Sequence, residues 1–134
     1  MSTEQNKDIV RRSIAAFSQG DFAGYLADAA DDFSFTLIGN TPFSGTIQGK
    51  QAVLEGLQSI LGTRLEGGAI AMTIENLIAE GDYVAEQARG TARTRNGKTY
   101  NNTYCRVWRI VDGKIRSVIE YLDTETVRTT LGEA

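Results

Sequence analysis

The chain has 134 residues, the size of one domain, and its 41% hydrophobic and 23% charged residues are ordinary for a soluble globular chain with a core of its own. A formal net charge of −3 leaves no electrostatic footprint for nucleic acid or for an anionic membrane, so neither is expected as a partner. There is no histidine, which excludes the commonest general base, the Ser-His and Cys-His nucleophile pairs and most zinc sites.

Acid–base chemistry must therefore come from carboxylates, Tyr, Lys or a polarised water. The single cysteine, Cys105, excludes an internal disulfide and fits a reducing compartment. Met1 to Lys7 is polar with no apolar run behind it, which does not read as a signal peptide, and no stretch approaches the roughly eighteen apolar residues of a membrane span. The expectation is one cytoplasmic domain over 1–134, without repeat or linker.

Ser2 to Gln19 reads as a helix, with a capping box from Ser2 and Gln5 and an apolar stripe of Ile9, Val10, Ile14 and Phe17. Gly20 is a stop, and Asp21 caps a second short helix with Phe22, Tyr25, Leu26 and Ala29 inward. Phe33 to Ile38 alternates as a strand, broken by Gly39-Asn40-Thr41-Pro42. Phe43 to Gln48 is short and irregular. Lys50 to Leu61 is a third helix, ended by Gly62.

From Ala69 the period changes to two, with Ile70, Met72, Ile74, Asn76 and Ile78 on one face. Turns at Gly81-Asp82, Asn96-Gly97 and Asp112-Gly113 then divide Tyr83 to Leu122 into three further strands. Asp123 or Thr124 caps a closing helix to Leu131. Helices segregated from a four-strand antiparallel meander give an α+β class, a curved sheet wrapped around N-terminal helices into a cone with an internal pocket.

Hairpin geometry places the side chains. A two-residue Asn96-Gly97 turn sets Thr91 opposite Asn102, Arg89 opposite Tyr104, Gln87 opposite Arg106 and Ala85 opposite Trp108, which gathers these polar groups on one face. At the next hairpin a two-residue turn sets Glu120 opposite Cys105. A three-residue loop of Val111, Asp112 and Gly113 sets it opposite Tyr104, with Val118 facing Arg106 and Leu122 facing Asn102. The longer loop, which brings Glu120 to the polar face, is the preferred register, partly on the resemblance given below.

Glu120 is then the leading candidate for chemistry, either as a general base or as the ion-pair partner of Arg89 or Arg106. Arg89 reads as an anion clamp or as charge balance for Glu120. Asn102, Tyr104 and Gln87 offer hydrogen bonds to a polar ligand end or to each other. Asn40 orients water or makes the turn before Pro42. Phe17, Met72, Ile74 and Trp108, with Phe33, Phe35 and Leu57, line an apolar ligand site or belong to the core. Cys105 lies on the opposite face with nothing to activate it. Arg93, Arg95, Arg109 and Arg116 read as solvated sheet positions or rim contacts in a dimer.

Several stretches together resemble a known family. They are Gln19-Gly20-Asp21-Phe22, the segment from Asn40 to Gly49, the strand Tyr100-Asn101-Asn102-Thr103-Tyr104, and the run from Asp112-Gly113-Lys114-Ile115 to Glu120-Tyr121-Leu122-Asp123. Their order is similar to that in SnoaL-like and ketosteroid-isomerase-like proteins of the nuclear-transport-factor-two-like superfamily, over nearly the whole chain. The resemblance implies the cone fold, an internal pocket and a homodimer through the outer sheet face. It sets Glu120 where epoxide-hydrolase-like members carry a water-activating aspartate. It sets Gln87 and Arg89 where those members carry an Arg-x-Asp pair, so that triad is absent as such. It sets Asn40 where steroid isomerases carry a proton-shuttling aspartate, which an amide cannot replace.

The expected function is a pocket for a small apolar or amphipathic molecule. Two outcomes stand side by side: a cofactor-independent isomerase, lyase or hydrolase with Glu120 as base and Arg89 and Tyr104 polarising an oxygen, or a non-catalytic binding or homodimeric association module. No motif implies a metal or an organic cofactor.

Overall fold

The computed structural model describes residues 2–132. Helix α1 (Thr3–Ser18) starts at the capping box: Ser2 Oγ accepts from Gln5 N (3.1 Å) and Gln5 Oε1 from Ser2 N (2.8 Å). Its buried stripe of Ile9, Val10, Ile14 and Phe17 faces the sheet. Gly20, at φ 76°, turns the chain into α2 (Phe22–Tyr25), capped by Asp21 Oδ1 on Gly24 N (2.9 Å). There follow β1 (Ala29–Leu37), β2 (Gly45–Gln48), α3 (Lys50–Arg64), a 3₁₀ turn (Glu66–Gly68), β3 (Ala71–Glu80), β4 (Tyr83–Arg93), β5 (Thr99–Val111) and β6 (Lys114–Leu122). Asp123 caps α4 (Thr124–Thr126), which continues as a π-helical turn, Val127–Leu131.

The six strands form one curved, unclosed sheet in the order β2-β1-β6-β5-β4-β3. Only β1 and β6 are parallel; every other neighbouring pair is antiparallel. Helices α1 to α3 fill the concave side, and the core lies between them and the inner face of the sheet.

Four local expectations are corrected. Helix α3 runs through Gly62 to Arg64, because Leu61 and Leu65 both bury and the positive φ of Gly67 and Gly68 supplies the stop instead. Strand β1 begins at Ala29 rather than Phe33, because its parallel pairing to β6 reaches back to Ile115. On β3 a bulge between Ile74 and Asn76 moves Asn76 and Ile78 off the inner face, so Ile78 is exposed and Leu77 is half-buried.

The fourth correction decides the site. The β4–β5 loop has three residues, Arg95, Asn96 and Gly97, with only Gly97 left-handed at φ 89°. The fully buried Thr94 makes this turn: its N–H donates to Lys98 O (2.8 Å), its Oγ1 accepts from Lys98 N (2.8 Å) and donates to Asn96 Oδ1. A bridge to Leu65, and Arg95 N donating to Arg64 O (2.9 Å), hold the loop against the end of α3. The register therefore slips by one residue and β4 turns over. Arg89 now lies opposite Thr103 and Gln87 opposite Cys105, both on the outer face. Val84, Glu86, Ala88 and Gly90 face inward with Tyr100, Asn102, Tyr104, Arg106 and Trp108.

The last hairpin is a two-residue turn with Asp112 at φ 50° and Gly113 at φ 78°, pairing Val111 with Lys114. A bulge at Arg116 then shifts the register once more, so Glu120 stands opposite Arg106, Leu122 opposite Tyr104 and Val118 opposite Trp108. Turn and bulge together bring Glu120 to the inner face that a three-residue loop was expected to provide.

Gly90 is where the concave face is tightest. A Cβ there would lie 2.7 Å from Ile70 Cγ2, 2.8 Å from Met72 Sδ and 2.9 Å from Tyr104 Cε1. Gly90→Ala is expected to lower stability by about 1–3 kcal/mol through overpacking. Gly62→Ala, where nothing lies within 4 Å of the added carbon, raises it by up to about 1 kcal/mol. Urea midpoints of the two variants measure both.

Candidate functional site

The inner face of β5 alternates without interruption, Tyr100, Asn102, Tyr104, Arg106, Trp108 and Ile110 all being buried. It forms the floor of a cavity of about 90 Å³. Phe17 of α1, Val53, Gly56, Leu57, Ile60 and Leu61 of α3, and Phe35 and Leu37 of β1 form the apolar walls. Phe43, Val127 and Leu131 complete them near the C-terminal turn. The polar lining side chains are Tyr100, Tyr104, Arg106 and Glu120.

Arg106 is 2% exposed and lies between two carboxylates. Its Nη1 donates to Glu86 Oε2 at 2.8 Å and its Nε to Glu120 Oε1 at 2.6 Å, while Nη2 reaches Met72 Sδ at 3.8 Å. The guanidinium stacks over Tyr104 at 4.6 Å and lies 5.8 Å from the Phe17 ring. Glu86, wholly buried, also accepts from Trp108 Nε1 at 2.9 Å, so each of its oxygens has a donor. Glu120 is different: Oε1 takes the arginine, and among the described residues no hydrogen bond reaches Oε2, which belongs to a cavity-lining side chain. Burial pushes the Arg106 pKa down, but Glu86 and Glu120 outweigh it and the guanidinium ends above its usual value.

Beside this cluster the two tyrosine hydroxyls lie 2.7 Å apart. Asn102 Nδ2 donates to Tyr100 Oη (3.0 Å) and to Asp123 O (3.1 Å), and Asn102 Oδ1 accepts from Asp123 N (3.1 Å) and Thr103 N (2.8 Å). Burial is the main cause that pushes Tyr100 up to about 12, against its hydrogen bonds with Tyr104 and Asn102. Burial, then the neighbouring Tyr100 and Glu120, raises Tyr104 well above 10. Tyr25, packed edge-on against Trp108 at 6.1 Å, is raised in the same way, first by burial. All three phenols keep their protons near neutral pH, as donors in an apolar setting.

The expected site residues divide accordingly. Glu120, Tyr104 and Phe17 line the cavity. Asn102 uses its amide internally and so positions Tyr100 rather than meeting a ligand. Trp108 and Met72 support the arginine cluster from behind, and Ile74 packs on the edge of the core. Arg89 and Gln87 are corrected: the slipped register puts both on the outer face, Arg89 Nε pairing with Glu75 Oε2 (3.1 Å) and Gln87 accepting from Asn76 Nδ2 (3.1 Å). Asn40 is exposed, and its carbonyl accepts from Arg128 Nη2 at 2.5 Å, so its place is in the turn.

The charge balance for Glu120 that was expected of Arg89 comes from Arg106, and the residue that sequence reasoning missed is Glu86. Its signal was available. Val84, Ala88, Gly90 and Ala92 alternate with the polar Gln87, Arg89, Thr91 and Arg93, and Glu86 is the one charge in the apolar set.

Two outcomes follow. Glu86→Ala leaves Trp108 Nε1 unpaired and Arg106 half-paired, and is expected to cost about 3–5 kcal/mol of stability by urea denaturation. Stability should also fall at alkaline pH. Tyr100 ionises near 12 when folded and near 10 when unfolded, so the folded chain holds the extra proton between those values. Its contribution is full below about pH 10 and is lost as pH rises through the folded value. Tyr100→Phe should flatten this decline, read as urea midpoint against pH.

Comparison with known proteins agrees with the fold. The chain is similar in structure to a nuclear-transport-factor-two-like protein of unknown function from Burkholderia pseudomallei, at 22% identity and a TM-score of 0.85, with 98% of each chain covered. It is also similar to a candidate isomerase from Bacillus subtilis, at 17% identity and a TM-score of 0.85, covering 100% of this chain and 98% of that one. A candidate SnoaL-like polyketide cyclase from a Jannaschia species matches at 18% identity and a TM-score of 0.77, over 98% and 94%. These likenesses show the fold alone. No curated protein matches the sequence. The family model for the SnoaL-like domain matches residues 10–118, and the chain belongs to that family within the nuclear-transport-factor-two-like superfamily.

Proposed function

We propose that the protein is a cofactor-independent proton-transfer enzyme acting on a small, mostly apolar carbonyl compound, with Glu120 as the base. The observation that carries this reading is the single-sided bonding of Glu120. Arg106 holds Oε1 at 2.6 Å, and Oε2 has no partner among the described residues. A base fixed on one oxygen and open on the other is already oriented for proton abstraction.

The tyrosine pair supplies the complementary group. Asn102 donates to Tyr100, and the two hydroxyls share a hydrogen bond in which either can be the donor; with Tyr100 as donor, the Tyr104 proton is left for an oxygen in the cavity. A C–H beside a carbonyl would lose its proton to Glu120 Oε2. The electron pair would move to the carbonyl oxygen, and Tyr104 would stabilise the enolate. Return of the proton to another carbon gives isomerisation; loss of a leaving group gives a lyase. The neighbours named as a candidate isomerase and a candidate polyketide cyclase support chemistry of this class.

The cavity sets the scale of the substrate. About 90 Å³ is below the roughly 150 Å³ that holds benzene in an engineered core, so a single ring or a short branched chain is the upper size and enters as lining side chains move.

The test is proton exchange at carbon. Small enolisable ketones and enones incubated in heavy water should incorporate deuterium next to the carbonyl faster with the protein than without it, followed by NMR. Glu120→Gln should slow the catalysed exchange by about 10²–10⁴-fold, and Tyr104→Phe by about 10²–10³-fold. Exchange at the wild-type rate by Glu120→Gln would remove the base assignment.

A further inference from the structure

The bonding of Arg106 has a consequence for which molecules the cavity admits. Glu86 accepts one donor on each oxygen, from Trp108 Nε1 and from Arg106 Nη1, and is wholly buried behind the cavity wall. It is thus bound as a carboxylate, and its charge balances that of Arg106. Glu120, which also bonds Arg106, is then in excess. Arg106 and Glu120 are the two cavity-lining residues with charged side chains, and the remaining polar groups there are two protonated phenols. The arginine is the only lining cation among the described residues, and Nε and Nη1 are both already engaged by carboxylates.

We infer that the cavity selects uncharged molecules of single-ring size over carboxylates of the same shape, and that Glu86, which lies outside the cavity, sets this selection by neutralising the arginine an anion would otherwise use. An anion would lie within a few ångströms of Glu120 in a poorly screened interior, a repulsion that corresponds to a loss of roughly a hundred-fold or more in affinity. An amide or a ketone meets no such repulsion, and its oxygen can accept from Tyr104. The inference rests on the cavity being a ligand site but does not require Glu120 to act as a base.

The test uses benzamide, acetophenone and benzoate, three probes of closely similar shape. Binding to the full chain is measured by chemical-shift perturbation and by isothermal calorimetry at neutral pH. The wild type should bind benzamide or acetophenone at least about a hundred-fold more tightly than benzoate. Glu120→Gln removes the excess charge while keeping side-chain shape, and should narrow the gap to about tenfold or less. Glu86→Gln, which keeps an acceptor for Trp108 Nε1, should narrow it too, and circular dichroism verifies that each variant folds. Benzoate binding as tightly as benzamide to the wild type would overturn the inference, as would an unchanged gap in folded Glu120→Gln. So would failure of both neutral probes to bind at millimolar concentration. Selection against benzoate without deuterium exchange keeps this inference and removes the catalytic reading; exchange with equal affinities does the reverse.

Discussion

The structure depends on one guanidinium. Arg106 sits in the middle of β5 and bonds Glu86 of β4 on one side and Glu120 of β6 on the other. Three adjacent strands are therefore joined through side chains as well as through their ladders. Desolvating these charges costs several kcal/mol per ion, and only close hydrogen bonds with good geometry offset it. The planar fork of an arginine can do this in two directions at once; a lysine, with one compact ammonium, cannot reach both carboxylates in the same plane. The aromatic rings of Tyr104 and Phe17 cover the faces that the carboxylates leave open. The result is a polar cluster buried under helices whose inward stripes are otherwise apolar.

For this cluster to exist, three strands must agree in facing, and facing is a matter of parity. Each of the three β3–β6 pairings departs from plain alternation: a bulge at Glu75 in β3, a three-residue turn before β5, and a bulge at Arg116 in β6. One departure moves every later side chain to the other face. At the last hairpin a two-residue turn and a bulge act in the same chain segment, and together they leave Glu120 inward. At the Asn96-Gly97 hairpin a single departure is enough to exchange Arg89 for Glu86 as the inward residue.

This explains which parts of the site are legible in the sequence. The elements and their order follow from periodicity, from the Ser2–Gln5 box and from the glycines, because those signals are local. The inner face of β5 is legible too, since Tyr100, Asn102, Tyr104, Arg106 and Trp108 lie on one strand and need no register. The partner strand is not legible from the Asn-Gly dipeptide. Thr94 competes with that dipeptide by capping Lys98 with its hydroxyl, and it does so because Leu65 and Arg64, some thirty positions earlier, hold the loop against α3. A tertiary contact has overridden a local turn preference. The composition of β4 keeps the answer: from Gln87 to Arg93 polar residues alternate with the small Ala88, Gly90 and Ala92, and the small set must face the crowded concave side where Gly90 lacks room even for a methyl group.

The two halves of the site are held by separate devices that share β5. The carboxylate half is fixed by Glu86 and Trp108 through Arg106. The phenol half is fixed by Asn102, which bonds Asp123 at both backbone atoms while it donates to Tyr100. Asp123 also caps α4 with its side chain, so the strand end that anchors the tyrosines starts the segment that carries Val127 and Leu131 into the cavity wall. Glu86, Trp108, Asn102 and Asp123 all lie outside the cavity lining, and act on it through Arg106 and Tyr100. Glu120 and Tyr104 are thereby left with one bonded side each and one side toward the interior, the arrangement that lets a site be rigid before a ligand arrives. Glu120 serves the sheet as well as the cavity, since without it the buried Arg106 Nε would have no carboxylate and β6 would lose its side-chain link to β5.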